Sequence, residues 1–226
     1  MNIGICGAGT VSGGLVRLLS KNEQLLEARI GKPINIVQIG SRNKPSQPEF
    51  EAFAFTDDVF EVAKNPSVDV LIELIGGTDD ALALVRMALQ AGKSVVTANK
   101  ALIAQHGEEL FQLAEQQGQQ LVFEAAVAGS IPIIKVMRES LAGNEIGAVV
   151  GIINGTTNFI LSQMSKPGST VSFEQALAEA QELGYAEADP TFDVEGLDAA
   201  HKLTILSAIA FGTRLSFDAI YTQGIG

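Results

Sequence analysis

An α/β fold built on a parallel sheet is predicted for this 226-residue chain by three observations. Short apolar runs rich in Val and Ile alternate with longer amphipathic segments through the first half, as strand–helix–strand units require. The glycine-rich stretch GAGTVSGG at 7–14 joins the first apolar run to the first amphipathic segment. A content of 46% hydrophobic and 18% charged residues is that of a folded chain with a sizeable core. Parallel strands need crossover connections, so helices are expected on both faces of the sheet.

In chain order, the strands are predicted at 2–6 (NIGIC), 34–39 (INIVQI), 68–73 (VDVLIE), 94–97 (SVVT) and 120–124 (QLVFE), each short and bounded by polar or glycine residues. The helices between them are predicted over 11–29, 57–64, 79–91 and 101–117, where apolar residues recur three and four apart. Near Ala125 the character changes: the small-residue stretch AAVAGSIP leads into an apolar helix over 132–141 and then a β-prone run ending in GIINGTTN. Three helical patterns follow at 156–165, 172–183 and 194–212, punctuated by KPGST and GYAEADP. Two domains are expected, a dinucleotide-binding domain at 1–128 and an α+β substrate domain at 129–226. The final YTQGIG has no closing helix or charged tail, so the second domain is expected to be incomplete at its C-terminus.

Charge and composition exclude several functions. With 15 Lys and Arg against 26 Asp and Glu, a net charge of -11, the chain lacks the basic footprint that nucleic acid or an anionic membrane surface demands. One cysteine, Cys6, and two histidines cannot make a zinc site. Cys6 is expected to be a small buried apolar residue, and His106 and His201 are set aside as a solvated residue and a neighbour that points away from Lys202. No basic leader opens the sequence and no apolar run reaches the ~18 residues of a membrane span, so a cytoplasmic protein is expected.

The glycine-rich turn carries the first functional signal. Gly7 permits a tight turn, Gly9 lets the backbone approach a pyrophosphate, and Thr10 and Val11 open a helix whose N–H groups and partial positive charge suit an anion. This is the fingerprint of a Rossmann-type dinucleotide site, with Ser12 in place of the third glycine. The second strand ends IGSRN, where an NAD-selective protein would carry an acidic residue; Arg42 suits the 2′-phosphate of NADP, with NAD possible and a solvated surface arginine the competing reading. In ELIGGTDD, Gly76 and Gly77 let the backbone lie against a nicotinamide or ribose, and Thr78 can cap the next helix. TANK puts Lys100 at the carboxyl edge of the sheet, as a ligand contact or a salt-bridged helix start.

GIINGTTNFIL at 151–161 and GYAEADPTFDVEGLDAAHKL at 184–203, with GAGTV, ELIGG and TANK, resemble homoserine dehydrogenases from about residue 2 to the end. The resemblance implies reversible reduction of L-aspartate 4-semialdehyde to L-homoserine with NADPH or NADH, in threonine and methionine biosynthesis. It implies Lys202 as general acid toward the aldehyde oxygen, with Asp198 four residues earlier on the same helix face; a surface ion pair is the plainer alternative. It implies Glu187 as ligand of the substrate's α-amino group, Gly184 close to the cofactor, and Lys100 on the cofactor or the substrate carboxylate. Asp193 supports the same pocket or caps a helix, and Gly155, Thr156, Thr157 and Asn158 line the substrate cleft or cap one. FEAAVAGSIP resembles a monovalent-cation loop, in which Glu124 and the carbonyls of Val127, Gly129 and Ile131 hold sodium. A homodimer of the intact protein through the second domain's sheet is also implied. The alternatives are another NADP-dependent dehydrogenase of an amino-acid aldehyde or oxo acid, or a cofactor-binding fragment without activity.

Overall fold

The computed structural model describes residues 1–226 and falls into two compact units, Met1–Ser130 and Ile131–Gly226. The first unit holds six parallel strands, β1 (Asn2–Cys6), β2 (Asn35–Gly40), β3 (Ala54–Thr56), β4 (Val70–Glu73), β5 (Ser94–Thr97) and β6 (Leu121–Val122), in the order β3-β2-β1-β4-β5-β6. One register row, Phe55, Ile39, Ile5, Ile72, Val96, Val122, crosses the whole sheet. Ile5 and Ile39 of that row form a core with Val16 and Phe50.

Helices α1 (Thr10–Lys21), α2 (Glu23–Ile30), α3 (Val59–Lys64), α4 (Asp79–Gln90) and α5 (Lys100–Gln116) connect the strands. On the opposite face α3 lies directly on β1 and β2: a Cβ on Gly40 would meet Val62 Cγ2 at 2.8 Å and the Val59 backbone at 3.1 Å. The single helix expected over 11–29 is two, because the Asn22 side chain donates to the Leu18 carbonyl at 3.1 Å and competes with the helical bonding there. The three-residue β3 was not predicted. The fifth expected strand stops at Val122, and Glu124–Ala126 form a 3₁₀ turn.

The second unit is helical: α6 (Ile133–Lys135) runs on as a π-helical turn over Val136–Ser140, and α7 (Gly155–Met164), α8 (Phe173–Glu182), α9 (Thr191–Val194) and α10 (Leu197–Phe211) follow. Its core packs Ile160 of α7 against Ala176 and Ala180 of α8 and Ala186 beyond it. A reciprocal Ser172–Gln175 capping box starts α8. The pattern expected as one helix over 194–212 is broken at Gly196, whose φ of +81° separates α9 from α10. The expected β run before GTTN forms no strand; Val150 and Ile152 stand exposed. Strand propensity is realised only against a ladder partner, and all six strands lie in the first unit.

Candidate active site

Each unit gathers one set of the sequence-predicted residues. In the first, the strand order reverses between β1 and β4, which opens a crevice at their carboxyl ends. Gly7 follows β1 at φ +105°, and a Cβ there would sit 2.5 Å from the Leu74 carbonyl oxygen, so only glycine fits. Gly9 is the N-cap of α1, no side chain caps the helix, and no acidic residue stands in its first turn. The opening N–H groups at Gly9, Thr10 and Val11 are therefore exposed and unopposed by charge, a set that fits a dinucleotide pyrophosphate. Ser12 explains the missing third glycine: it is buried, and its hydroxyl donates to the Gly9 carbonyl at 2.9 Å, tightening the turn itself.

Around this crevice, Arg42 is exposed just beyond β2, and Gly76 and Gly77 are exposed after β4, both at φ +71°. Lys100 is the first residue of α5, behind Asn99, whose side-chain oxygen accepts from the Leu102 N–H at 3.0 Å. Glu124 lies in the turn after β6, followed by the buried Val127. Ala128 and Ser130 flank Gly129 in left-handed conformations that non-glycine residues rarely adopt. The carbonyl of Ile131 accepts from the Ile133 N–H at 2.8 Å.

In the second unit, α10 and the start of α7 build a closed polar cluster. Lys202 Nζ donates to Asp198 Oδ2 at 2.6 Å and to the Ile153 carbonyl at 2.7 Å. The pair is not a solvated surface bridge: the side chains are 18% and 7% exposed. Two of the three ammonium protons are thereby held, and one remains for another acceptor. Asn154, which the sequence reading passed over, joins the cluster. Its Oδ1 caps α7 by accepting from the Thr157 N–H at 2.7 Å, while its Nδ2 donates to Asp193 Oδ1 at 2.7 Å and Asp198 Oδ2 at 2.8 Å. The signal was present, since an Asn directly before a GTT helix start is an N-cap.

Thr156 offers its one hydroxyl proton to the Tyr185 carbonyl at 2.6 Å and Asp193 Oδ2 at 2.9 Å. Asp193 is thus a member of the cluster. The capping alternative fails, because Asp193 lies inside α9 and Pro190 holds the N-cap position. Gly184 turns at φ +77°, and Glu187 is exposed on the loop beyond it, where its backbone carbonyl accepts from Gln181 Nε2 at 3.0 Å. His201 is buried and stacked on Phe217 at 4.4 Å, a packing residue. His106 is half-buried on α5, not fully solvated as expected. Cys6 is buried as expected, its thiol pushed up by burial and then by the charge of Glu73.

Comparison with known proteins bears on both sets. Residues 7–124 match the family described as homoserine dehydrogenase, NAD binding domain, and residues 132–226 match the family described as homoserine dehydrogenase. The whole chain is 55% identical to 51% of a homoserine dehydrogenase from Pseudomonas aeruginosa and 50% identical to 52% of one from Neisseria gonorrhoeae. It therefore spans about half the length of these curated relatives. Among solved structures, it superposes over its full length on 52% of a homoserine dehydrogenase from Thiobacillus denitrificans, with TM-score 0.95 and 50% identity. A hyperthermophilic archaeal homoserine dehydrogenase in complex with NADPH matches 94% of the chain and 70% of its own, with TM-score 0.80 and 30% identity.

Proposed function

The chain belongs to the homoserine dehydrogenase family, and from that premise we propose that it interconverts L-aspartate 4-semialdehyde and L-homoserine with a nicotinamide dinucleotide. The observation that carries the reading is the Lys202–Asp198 pair, its carboxylate buried and its ammonium partly so, with one ammonium proton left over. When bound, the dinucleotide supplies or accepts the hydride. Everything else is the work of the chain's own groups.

Asp198 and the Ile153 carbonyl fix the Lys202 ammonium by two of its protons, so the third is the one offered to the aldehyde oxygen. Protonation there neutralises the alkoxide that hydride addition creates. In the oxidative direction the same amine takes the hydroxyl proton back. Asn154 and Thr156 hold Asp198 and Asp193 in place. Glu187, exposed on its loop, is the partner for the substrate's α-ammonium, and Lys100 is the partner for its carboxylate or for the cofactor. Gly184, at φ +77°, would let that loop approach the cofactor.

For the dinucleotide, Gly7, Gly9, Thr10 and Val11 would hold the pyrophosphate, and Gly76 and Gly77 would let the backbone lie against the nicotinamide or its ribose. Arg42 favours NADP over NAD, because an exposed guanidinium rewards a 2′-phosphate and an NAD site would carry a carboxylate there. Sodium on Glu124 and the carbonyls of Val127, Gly129 and Ile131 would stiffen the chain where the two domains, 1–128 and 129–226, meet in sequence. One carboxylate among neutral oxygens suits a monovalent ion better than a divalent one. The intact protein is a homodimer in the cytoplasm, as the family resemblance implies. No helix is long and apolar enough to cross a membrane.

The discriminating experiment is substrate choice: NADP with L-homoserine set against a panel of other amino alcohols and 2-hydroxy acids. The proposal expects L-homoserine to give the highest kcat/KM. A better substrate lacking the α-amino group would remove the role of Glu187 and the proposal with it.

A further inference from the structure

At the carboxyl edge of the sheet one register row runs Gly40, Cys6, Glu73, Thr97. Glu73 is fully buried there and has no part in the proton or hydride transfer proposed above. Two residues earlier on the same face, β4 carries Leu71, equally buried, so filling the core does not require a carboxyl group at this place. Burying one is costly unless its oxygens are filled, and here both are. Glu73 Oε1 accepts from the Ile75 N–H at 2.9 Å, and Oε2 accepts from the Thr97 hydroxyl at 2.5 Å.

The bonding continues past Thr97. Its Oγ1 accepts from the Asn99 N–H at 2.9 Å, and Asn99 Nδ2 donates to the Gly77 carbonyl at 2.6 Å. A ring is thereby closed: from Glu73 across to the loop after β5, and back to the loop after β4. The first of these loops carries Gly76 and Gly77, and the second leads into Lys100 at the start of α5. Two successive glycines at φ +71° are a segment with much conformational freedom to lose, and the ring restrains it from both sides.

We propose that Glu73 is a positioning residue for the nicotinamide half of the dinucleotide, setting the loops after β4 and β5 through Thr97 and Asn99 before the ligand arrives. This rests on the dinucleotide site proposed above. The phosphate turn after β1 and Arg42 after β2 assign the adenosine half to the β1–β3 side of the crevice. The other mononucleotide half then falls to the β4–β6 side, where the ring lies. A glutamine at 73 would keep the Ile75 bond but turn an NH₂ group toward Thr97, leaving the hydroxyl proton without its acceptor.

The test titrates the 226-residue chain with two probes, NADPH and adenosine 2′,5′-bisphosphate, which carries the adenosine half alone. Native protein is compared with Glu73→Gln, Thr97→Val and Thr97→Ser, each also followed by thermal melting. Loss of preorganisation predicts an NADPH Kd raised about tenfold in Glu73→Gln and Thr97→Val, with bisphosphate affinity within about twofold of native. Thr97→Ser, which keeps the hydroxyl, restores NADPH binding. An NADPH Kd unchanged in Thr97→Val, or both probes weakened alike with a lowered Tm, overturns the positioning role. Failure of the dinucleotide site itself is distinguishable, because the native chain would then bind neither probe, and both proposals would fall.

Discussion

Replacing Asn154 separates its two jobs and puts a magnitude on the cluster that holds Lys202. In Asn154→Ala the Thr157 N–H loses its cap, a cost of about 1 kcal/mol. The same change removes the one amide donor shared by Asp193 and Asp198, and a buried acceptor deprived of its donor costs about 1–3 kcal/mol. Asp198 keeps Lys202, and Asp193 keeps Thr156, so the loss falls toward the lower end for each. The expected total is about 2–4 kcal/mol. Serine is a good N-cap but too short to bridge the carboxylates, so Asn154→Ser should recover about 1 kcal/mol and no more. Urea unfolding of the native chain and both variants, read as midpoint shifts at constant slope, measures the difference. Activity should fall in Ala and Ser alike, since both release Asp198 from its second partner. Full recovery of stability and turnover by serine would show that Asn154 only caps α7, and the bridge would have no energetic content.

Three other expectations follow from single observations. Gly7→Ala should destabilise the first unit by more than about 2 kcal/mol and abolish NADPH binding, because its Cβ collides with the Leu74 carbonyl in a left-handed backbone; a stable, binding-competent variant would contradict this. Arg42→Ala should weaken NADPH about tenfold while leaving NADH nearly unaffected, as titration with both would show; equal loss for both would assign Arg42 to something other than the 2′-phosphate. Cys6 should resist a disulfide reagent in the native chain and react fully in denaturant. Its thiol is raised in the folded state, so that contribution to stability is intact below the unfolded thiol pKa of about 8.5 and declines as pH rises above it. Melting temperatures across pH 8–10, compared with Cys6→Ala, check the sign.

What the sequence made legible was set by how local each signal is. Strands buried on both faces write themselves as short apolar runs, and β1, β4 and β5 were recovered close to their ends. The phosphate turn was equally plain, since its glycines answer to backbone geometry within eight residues. β3 leaves no signal in the sequence because three residues have no period, and α1 and α2 share one amphipathic pattern because a single asparagine barely disturbs it. The β-prone run before GTTN shows the opposite failure: Val and Ile advertise a strand, but pairing is a long-range property, and no strand of the second unit meets it. Lys202 and Asp198 could be paired from their spacing alone. Asn154 is legible in the sequence only as the cap of α7, and Glu73 not at all, because their other cluster partners lie up to 44 and 24 residues distant in sequence and only folding brings them together.

The central claim is that Lys202 carries the proton in an NADP-linked oxidation of L-homoserine, and one measurement tests it most directly. The 226-residue chain and Lys202→Ala are each mixed with NADP and L-homoserine at alkaline pH, and absorbance is followed at the reduced-nicotinamide band, with NADPH affinity measured in parallel. A signal from the native chain, a kcat lower by about 10²–10⁴ in the variant and an unchanged NADPH Kd are the predicted result. A variant that turns over as fast as the native chain, or one that loses NADPH binding in proportion to its activity, would contradict it.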